Sequence, residues 1–374
     1  MFYATHAPVD LSAIRRNLEA VRQLAGNRQV ALAVKADAYG HGAVAVAQMV
    51  QRTDVADRLA VATVPEALDL RKAGIGLPVM KLSPCFPEEV AAAVQGGVTL
   101  TVVDDDTIAA AQRAAAQAGA TVAVHLKLDT GMGRIGAPPD QAVRLARLVD
   151  SSPNLELEGL FTHPPVSDMA DGRDFTIQQF RCFLDAAARV ADARGPVALV
   201  HGAPSGAILG HSLEGMTMVR PGIMAYGYYP DASTPRTVPL EPAMSCVSRI
   251  SFVKQVSAGQ TVGYGRTWTA ERDTWIGTVP VGYADGYSRR NSNTGRMLVG
   301  GRSVPIAGRV CMDQTMLDLG PEGAGVRVGD EVVLLGRQGQ ECITADELAE
   351  RMGTITYEVT CLVSGRVTRV HHGG

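Results

Sequence analysis

The chain has 374 residues, 46% of them apolar, and its 35 basic and 38 acidic side chains give a net charge of −3. This balance offers no basic surface for nucleic acid, and the apolar content excludes an intrinsically disordered chain. No apolar run approaches the roughly 20 residues that span a bilayer. Charged residues near the N-terminus stand where a signal peptide needs an apolar stretch, so we expect a cytoplasmic protein with neither membrane nor nucleic-acid partners.

The numbers and spacing of the cysteines and lysines limit which kinds of site the chain can form. Six widely spaced cysteines predict no disulfide framework, no zinc knuckle and no other metal site. Arginine cannot lose its proton to act as a nucleophilic amine, so lysines retained in an arginine-rich chain are candidates for that role. Only five of the basic residues are lysines, namely Lys35, Lys72, Lys81, Lys127 and Lys254.

Apolar strand-like runs alternate with Ala-, Arg- and Glu-rich helical segments over the first two thirds of the chain. The predicted strands are 29–36, 58–64, 77–83, 98–104, 121–129, 155–163, 197–203 and 216–220. The clearest helices between them are 65–73, 87–95, 104–118 and 174–194. Eight such repeats predict an α/β fold with a (β/α)₈ TIM barrel. A doubly wound open sheet is the alternative, disfavoured because no GxGxxG follows the first strand.

The character of the sequence changes after the proline-containing segment 230–238, which predicts a linker. Beyond it, runs rich in Val, Ile, Thr and Gly predict a smaller, mostly β domain with one short helix near 344–352. The predicted strand regions are 245–256, 274–282, 303–319 and 326–335. We therefore predict a barrel domain over residues 1–232 and a β domain over residues 233–374.

Basic side chains recur where the barrel strands are predicted to end, and these ends carry the chemistry of this fold. On the first strand, Lys35 shares a face with the small residues Ala31 and Ala33, which leave room for a ligand. The other strand ends carry Lys127 with His125 below it, His163, His201 and Arg220. Crowded cations predict an anionic ligand. Ser205 and Gly222 lie in the loops that often bind phosphate in this fold. The pattern therefore indicates a pyridoxal phosphate enzyme in which a lysine binds the cofactor covalently.

Five segments then resemble the motifs of one family, the alanine racemases. They are 33–42 (AVKADAYGHG), 128–136 (LDTGMGRIG), 262–265 (VGYG), 282–286 (GYADG) and 308–314 (GRVCMDQ). The resemblance extends from residue 33 to about residue 357. It implies a pyridoxal phosphate-dependent isomerase that interconverts L- and D-amino acids as a homodimer with shared active sites.

The resemblance also implies roles for individual residues. Lys35 would bind the cofactor and act as the base on the face of the D enantiomer, while Tyr264 of a second subunit would serve the opposite face. Implied cofactor contacts are Tyr39, Ser205, Gly222, Ile223 and Tyr357 at the phosphate, Arg220 with His163 at the ring nitrogen, and Arg134 at the phenolic oxygen. Implied substrate contacts are Arg134, Met312, Tyr283 and Asp313, and Lys127 would be carbamylated.

The chain departs from the family pattern beside the implied cofactor site. Pro164 and Pro165 follow His163, and Pro204 stands where the family commonly has asparagine. These departures bear on the choice of amino acid, so alanine is expected but serine or a broader range stays open. Two other functions remain, a decarboxylase on the same architecture and a pyridoxal phosphate-binding protein without catalysis. The absence of a triple-glycine phosphate loop and the presence of Tyr264 argue against them.

Overall fold

The computed structural model describes residues 4–374, apart from the side chain of Ala324. The chain forms two compact units. One is Ala13–Glu241, and the other combines the N-terminal residues up to Ser12 with Pro242–Gly374. The predicted domains were a cofactor-binding barrel over residues 1–232 and, over residues 233–374, a β domain that reaches the partner's site. These bounds and roles stay a prediction. No helix in the described part of the chain has the length and apolar character to cross a membrane.

Strand β1 (His6–Asp10) opens the chain and belongs to the second unit, and helix α1 (Leu11–Ala25) follows it. The first unit contains eight parallel strands. They are β2 (Gln29–Ala33), β3 (Arg58–Val61), β4 (Val79–Lys81), β5 (Val98–Val102), β6 (Val122–Lys127), β7 (Leu155–Phe161), β8 (Leu199–His201) and β9 (Met218–Val219). Their order is β8-β7-β6-β5-β4-β3-β2-β9, and a parallel bridge between Ala203 and Val219 joins the two ends. The predicted barrel is confirmed.

Helices alternate with these strands. They are α2 (Lys35–Tyr39), α3 (Ala43–Thr53), α4 (Val64–Lys72), α5 (Pro87–Gln95), α6 (Asp105–Ala118), α7 (Ala142–Asp150), α8 (Arg173–Arg194) and α9 (Ser205–Gly210). Local sequence explains several helix starts. The hydroxyl of Thr63 accepts from the backbone N–H of Glu66, whose carboxylate accepts from the Thr63 N–H in return, and this capping box starts α4. Proline begins α5, where its missing N–H costs nothing.

Alanine, methionine and leucine side chains from neighbouring strands pack together in the barrel. The buried cluster consists of Ala31, Ala60, Met80, Leu199 and Met218. Ala31 thus faces inward, as its alternation with Val30 and Leu32 predicts.

The second unit is mostly β, as predicted. Its elements are β10 (Cys246–Arg249), β11 (Phe252–Val256), β12 (Thr261–Val262), β13 (Trp268–Thr269), β14 (Thr274–Val279), β15 (Arg296–Val299), β16 (Arg302–Pro305), β17 (Thr315–Gly320), β18 (Glu331–Gln338), β19 (Glu341–Ile343), α10 (Ala345–Met352), α11 (Thr356–Leu362) and β20 (Thr368–His372). The main sheet has the order β16-β15-β18-β10-β1-β20, with β19 paired to β18. Strands β11, β14 and β17 form a second sheet, and β12 pairs with β13.

Candidate active site

Lys35 lies two residues beyond β2 and not within the strand, which corrects the predicted strand 29–36. The four residues after it, which make up the rest of α2, are left-handed, with φ angles of 51°, 54°, 55° and 54°, so α2 is a left-handed turn and not a right-handed helix. Such residues cost roughly 1–2 kcal/mol each when they are not glycine. Hydrogen bonds hold the turn, because Asp37 accepts from the N–H of Ala43 at 2.7 Å and Glu66 accepts from that of Ala36 at 2.7 Å. Since Glu66 also belongs to the capping box of α4, the turn is anchored to that helix.

Hydroxyl groups and backbone N–H groups converge next to this turn. The Oγ of Ser205, the first residue of α9, accepts from the N–H of Gly222 at 3.0 Å and of Met224 at 3.3 Å. A Cβ added to Gly222 would lie 2.5 Å from the hydroxyl of Tyr39 and 3.9 Å from that of Ser205. Only glycine fits there, and Ile223 follows as the start of a 3₁₀ turn. Tyr39, Ser205, Gly222 and Ile223 thus form one cradle, whose donors suit a phosphate group.

Lysine and arginine side chains surround the mouth of the barrel, as predicted. The histidines that were expected to add to this charge, His125, His163 and His201, are neutral because burial lowers their pKa. Burial, with the charges of Arg220 and Arg134 adding to it, lowers the pKa of Lys127 to about 8. Burial lowers the pKa of Arg220 to about 9, which still leaves it a cation at neutral pH. Lys35 also contributes its charge to this group. Cations that lower one another's pKa are stabilised by an anion placed among them, so this site fits an anionic ligand.

Arg220, which directly follows β9, is held by three acceptors. Its Nη1 donates to Nδ1 of His201 at 2.5 Å. Its Nη2 donates to the carbonyl of Thr162 at 2.7 Å and to Nδ1 of His163 at 3.4 Å. Burial and the nearby charges of Arg220 and Arg134 hold the pKa of His163 well below its usual range, so the ring is neutral. His163 therefore lies beside Arg220 as an acceptor.

The loop that carries Arg134 is organised by Asp129. Its carboxylate accepts from the backbone N–H groups of Gly131 at 2.9 Å, Gly133 at 3.1 Å and Arg134 at 3.1 Å. Burial opposes ionisation, but these hydrogen bonds outweigh it and lower the pKa of Asp129. No role was predicted for Asp129 or for Glu66. Asp129 followed by Gly131 is the signature of an Asx turn, and Thr63-x-x-Glu66 that of a capping box.

In the second unit, the predicted residues lie on neighbouring loops. The N–H groups of Tyr283 and Ala284 donate to the carbonyls of Cys311 and Met312, both at 3.1 Å. The backbones meet so closely that a Cβ on Gly282 would lie 2.2 Å from the carbonyl oxygen of Cys311. These backbone contacts hold the two loops together, and the side chains of Tyr283 and Met312 are both exposed.

Three more predicted residues belong to this unit. Tyr264 follows β12 and is 71% exposed, which is unusual for an aromatic ring. The Asp313 carboxylate accepts from Nη1 of Arg366 at 2.8 Å, so its charge is already paired. Tyr357 lies on α11. The roles assigned to all these residues stay predictions.

Comparison with known proteins identifies the family. Residues 9–230 match the family model described as alanine racemase, N-terminal domain, and residues 243–371 match alanine racemase, C-terminal domain. A relative from Cutibacterium acnes named alanine racemase is 53% identical over 365 residues, which cover 98% of this chain and 97% of the relative. The two matched regions together account for nearly the whole chain.

Solved structures of racemases have the same fold. The alanine racemase from Bacillus anthracis with bound L-Ala-P has a TM-score of 0.92 at 36% identity, covering 100% of this chain and 97% of that one. The histidine racemase from Leuconostoc mesenteroides has a TM-score of 0.89 at 27% identity, covering 99% and 98%. The chain therefore belongs to the alanine racemase family and is an amino-acid racemase, an isomerase.

Proposed function

We propose that the chain is a pyridoxal phosphate-dependent alanine racemase that works as a homodimer. The observation that carries this proposal is the position of Lys35 at the start of a strained turn, next to the cradle of Tyr39, Ser205 and Gly222. A lysine amine, a phosphate cradle and nearby cations at one barrel mouth are the requirements of that cofactor.

Residues of both units would hold the cofactor. Ser205, Gly222 and Ile223 would bind its phosphate, with Tyr39 and Tyr357, and Lys35 would bind it covalently. Arg220 would donate to the ring nitrogen, with His163 beside it, and Arg134 would contact the phenolic oxygen. When bound, pyridoxal phosphate acidifies the α-C–H bond of an attached amino acid.

Racemisation needs a proton-transfer group on each face of the substrate α-carbon, because a single base tends to return the proton to the face it left. Lys35 takes or returns this proton on one face, and Tyr264 of the partner subunit does so on the other. Arg134 and the loop of Tyr283, Met312 and Asp313 would hold the substrate carboxylate. The Arg220 guanidinium does not give up a proton to the ring nitrogen, which favours simple proton exchange over transamination.

The state of Lys127 matters for the placement of Arg134. Carbamylation joins a neutral amine to carbon dioxide with release of a proton, and the pKa of about 8 leaves part of the Lys127 amine neutral at pH 7. The product is an anion, which relieves the repulsion among Lys127, Arg134 and Arg220. We therefore include carbamylated Lys127 in the proposed site.

A partner subunit is proposed because of the exposure of Tyr264, Tyr283 and Met312, which are 71%, 44% and 52% exposed. Side chains of this kind, within segments that resemble active-site motifs, suit a site completed by another chain. The proposed cytoplasmic location agrees with six cysteines that are all free thiols.

Mixing two inactive variants tests the shared site. Lys35→Ala and Tyr264→Phe chains are each expected to be inactive, and their random pairing should make half of the dimers mixed. One of the two sites in each mixed dimer is intact, so about a quarter of all sites should recover under closed two-fold symmetry. Racemisation is measured after subunit exchange has been verified with tagged chains. Verified exchange without recovery would show that each chain builds its own site.

Incubation with single amino acids in deuterated water tests the function. We expect L-alanine to lose optical rotation and to gain one deuterium at its α-carbon, with no carbon dioxide released. A panel that includes serine and histidine tests the substrate, because Pro164, Pro165 and Pro204 depart from the family pattern beside the site. Release of carbon dioxide would indicate a decarboxylase, and no exchange with any amino acid would indicate a binding protein.

A further inference from the structure

A line of polar side chains connects the interior of the barrel to Arg220. His201 Nε2 lies 2.9 Å from Nδ1 of His125, and His125 Nε2 lies 2.8 Å from Oε2 of Glu158. Arg58 donates to both oxygens of Glu158, from Nη1 at 3.0 Å and from Nη2 at 2.9 Å. We call Glu158, His125 and His201 the histidine relay, with Arg58 at one end and Arg220 at the other. Since Arg58 begins β3 and Arg220 follows β9, the relay runs from the N-terminal toward the C-terminal ends of the strands.

The two ends of the relay determine the direction of every hydrogen bond in it. Arginine only donates, so Nδ1 of His201 must accept from Arg220. An ionised carboxylate only accepts, so Nε2 of His125 must donate to Glu158. A neutral imidazole carries one N–H, and it follows that His201 Nε2 donates to His125 Nδ1. The Arg220 end and the Glu158 end therefore require the same direction for the hydrogen bond between His201 and His125.

The charges support this assignment. Burial lowers the pKa of His125 and outweighs the opposing effect of Glu158, and burial with the charge of Arg220 holds the pKa of His201 well below its usual range. Burial raises the pKa of Glu158, but hydrogen bonds from His125 and Arg58 and the charge of Arg58 lower it to about 2. Two neutral rings therefore separate one carboxylate from one guanidinium.

The surrounding barrel fixes the rings. His201 stacks on Phe161, with ring centroids 4.9 Å apart and planes within 4°. A Cβ on Gly159 would lie 2.7 Å from ring atoms of His125, so only glycine leaves room for that ring. Strand β7 has a register shift here, because Val124 pairs with Leu157 but His125 pairs with Gly159. This bulge places Glu158 opposite no partner residue and changes the side-chain alternation at the point where Glu158 meets the relay.

We propose that Glu158 and Arg58 are positioning residues for Arg220, which they orient through His125 and His201. The proposal rests on the proposed function, in which Arg220 faces the cofactor ring. Arg220 makes its His201 hydrogen bond only if Nδ1 of that ring is unprotonated. The carboxylate at the far end favours this tautomer, so it sets the direction in which the guanidinium points.

Only a carboxylate satisfies all three donors at position 158. In Glu158→Gln, an amide nitrogen at the Oε1 position would face Nη2 of Arg58, donor against donor. At the Oε2 position it would face Nη1 of Arg58 and would reverse the His125 tautomer, and with it that of His201. His201 Nδ1 would then carry a proton and repel Arg220. Glu158→Asp keeps the charge and the acceptor character.

The first measurement uses the wild-type protein as purified, labelled with ¹⁵N in the histidine rings. We expect His125 and His201 to be neutral and protonated at Nε2 at pH 7. A protonated Nδ1 in either ring overturns the proposal. This result does not depend on racemase activity, so it separates failure of the relay from failure of the proposed function.

The second measurement compares Glu158→Gln, Glu158→Asp and a control, Asp150→Asn. Asp150 pairs with Arg194 at 2.7 Å, and its side chain is 34% exposed against 24% for Glu158, but it has no connection to Arg220. We expect kcat for L-alanine to fall roughly ten- to a hundredfold in Glu158→Gln, as for a small misplacement of a functional group, with KM changed less than about threefold.

Glu158→Asp should recover most of the lost kcat, and Asp150→Asn should stay within about twofold of wild type. Wild-type kcat in Glu158→Gln would overturn the proposal. So would equal losses in Glu158→Gln and Asp150→Asn, because these would indicate a general effect of removing a charge pair. If Glu158→Gln does not fold, the tautomers of His125 and His201 in the wild-type protein test the proposal on their own.

Discussion

Lys35→Ala is expected to lower racemisation of alanine by at least about 10⁴-fold. One general acid or base contributes up to about 10⁴-fold, and the same side chain would also bind the cofactor covalently. Alanine fits the position, because the left-handed residues of the turn begin only at Ala36. The variant should therefore fold, and D-alanine formed from L-alanine is measured in the presence of excess pyridoxal phosphate.

Lys72→Ala is the matched control, since Lys72 is an exposed lysine that forms a surface ion pair with Asp69 at 3.0 Å. It should retain wild-type activity. Borohydride reduction of the wild-type holoenzyme is expected to leave a phosphopyridoxyl group on Lys35, found by peptide mass. A label on Lys81 or Lys127, or a Lys35→Ala variant within tenfold of wild type, would remove Lys35 from the site.

Tyr264→Phe is expected to lower racemisation by at least about 10²-fold, the low end for one acid–base group. The ring is 71% exposed, so loss of its hydroxyl should change the free energy of unfolding by less than about 0.5 kcal/mol. Lys35 remains, so residual α-deuterium exchange should come mainly from the D enantiomer, whose α-hydrogen faces Lys35 by the family resemblance. The loss is therefore expected to be unequal for the two enantiomers.

Exchange in deuterated water is measured separately from L- and D-alanine. Tyr229→Phe is the control, because it also deletes a tyrosine hydroxyl, one that donates to the carbonyl of Val238 at 2.8 Å. That variant should exchange both enantiomers at the wild-type rate. Nearly wild-type exchange of both enantiomers by Tyr264→Phe would leave Lys35 as the single base on both faces.

The barrel could be predicted because its local signals agree with one another. Helix α5 has the predicted bounds, since Pro87 marks its start and the glycines after Gln95 its end. Strand ends were predicted less well, and β2 stops at Ala33 although the apolar run continues. A strand ends where its neighbours stop pairing with it, and one segment of sequence does not contain that information.

The left-handed turn after Lys35 could not be predicted. Ala36, Asp37 and Ala38 have ordinary helix or turn propensities, and no glycine marks the change of hand. The conformation is held by distant groups, among them Glu66. Strain maintained by tertiary contacts is typical of functional sites, and it is the kind of feature that propensity misses.

Glu158 was missed for a related reason. Strict alternation along β7 places Glu156 and Glu158 on the same outward face. The bulge at Glu158 breaks that alternation, and only the pairing with β6 reveals it.

In the second unit, the predicted strand region 245–256 is two strands, β10 and β11, which belong to different sheets. Strand β1 gave no signal because Pro8 argues against a central strand.

The position of β1 has a consequence for biosynthesis. It pairs in parallel with β20, from His6 opposite Thr368 to Asp10 opposite His372. The ribosome therefore releases the first strand of the sheet some 360 residues before the neighbour that covers it. At about 5–20 residues per second, that strand waits about 20 to 70 s for β20, and both of its edges lack their partners until β10 has also been made. All eight barrel strands emerge during that interval, so the nascent chain holds a complete barrel sequence before the other sheet can close.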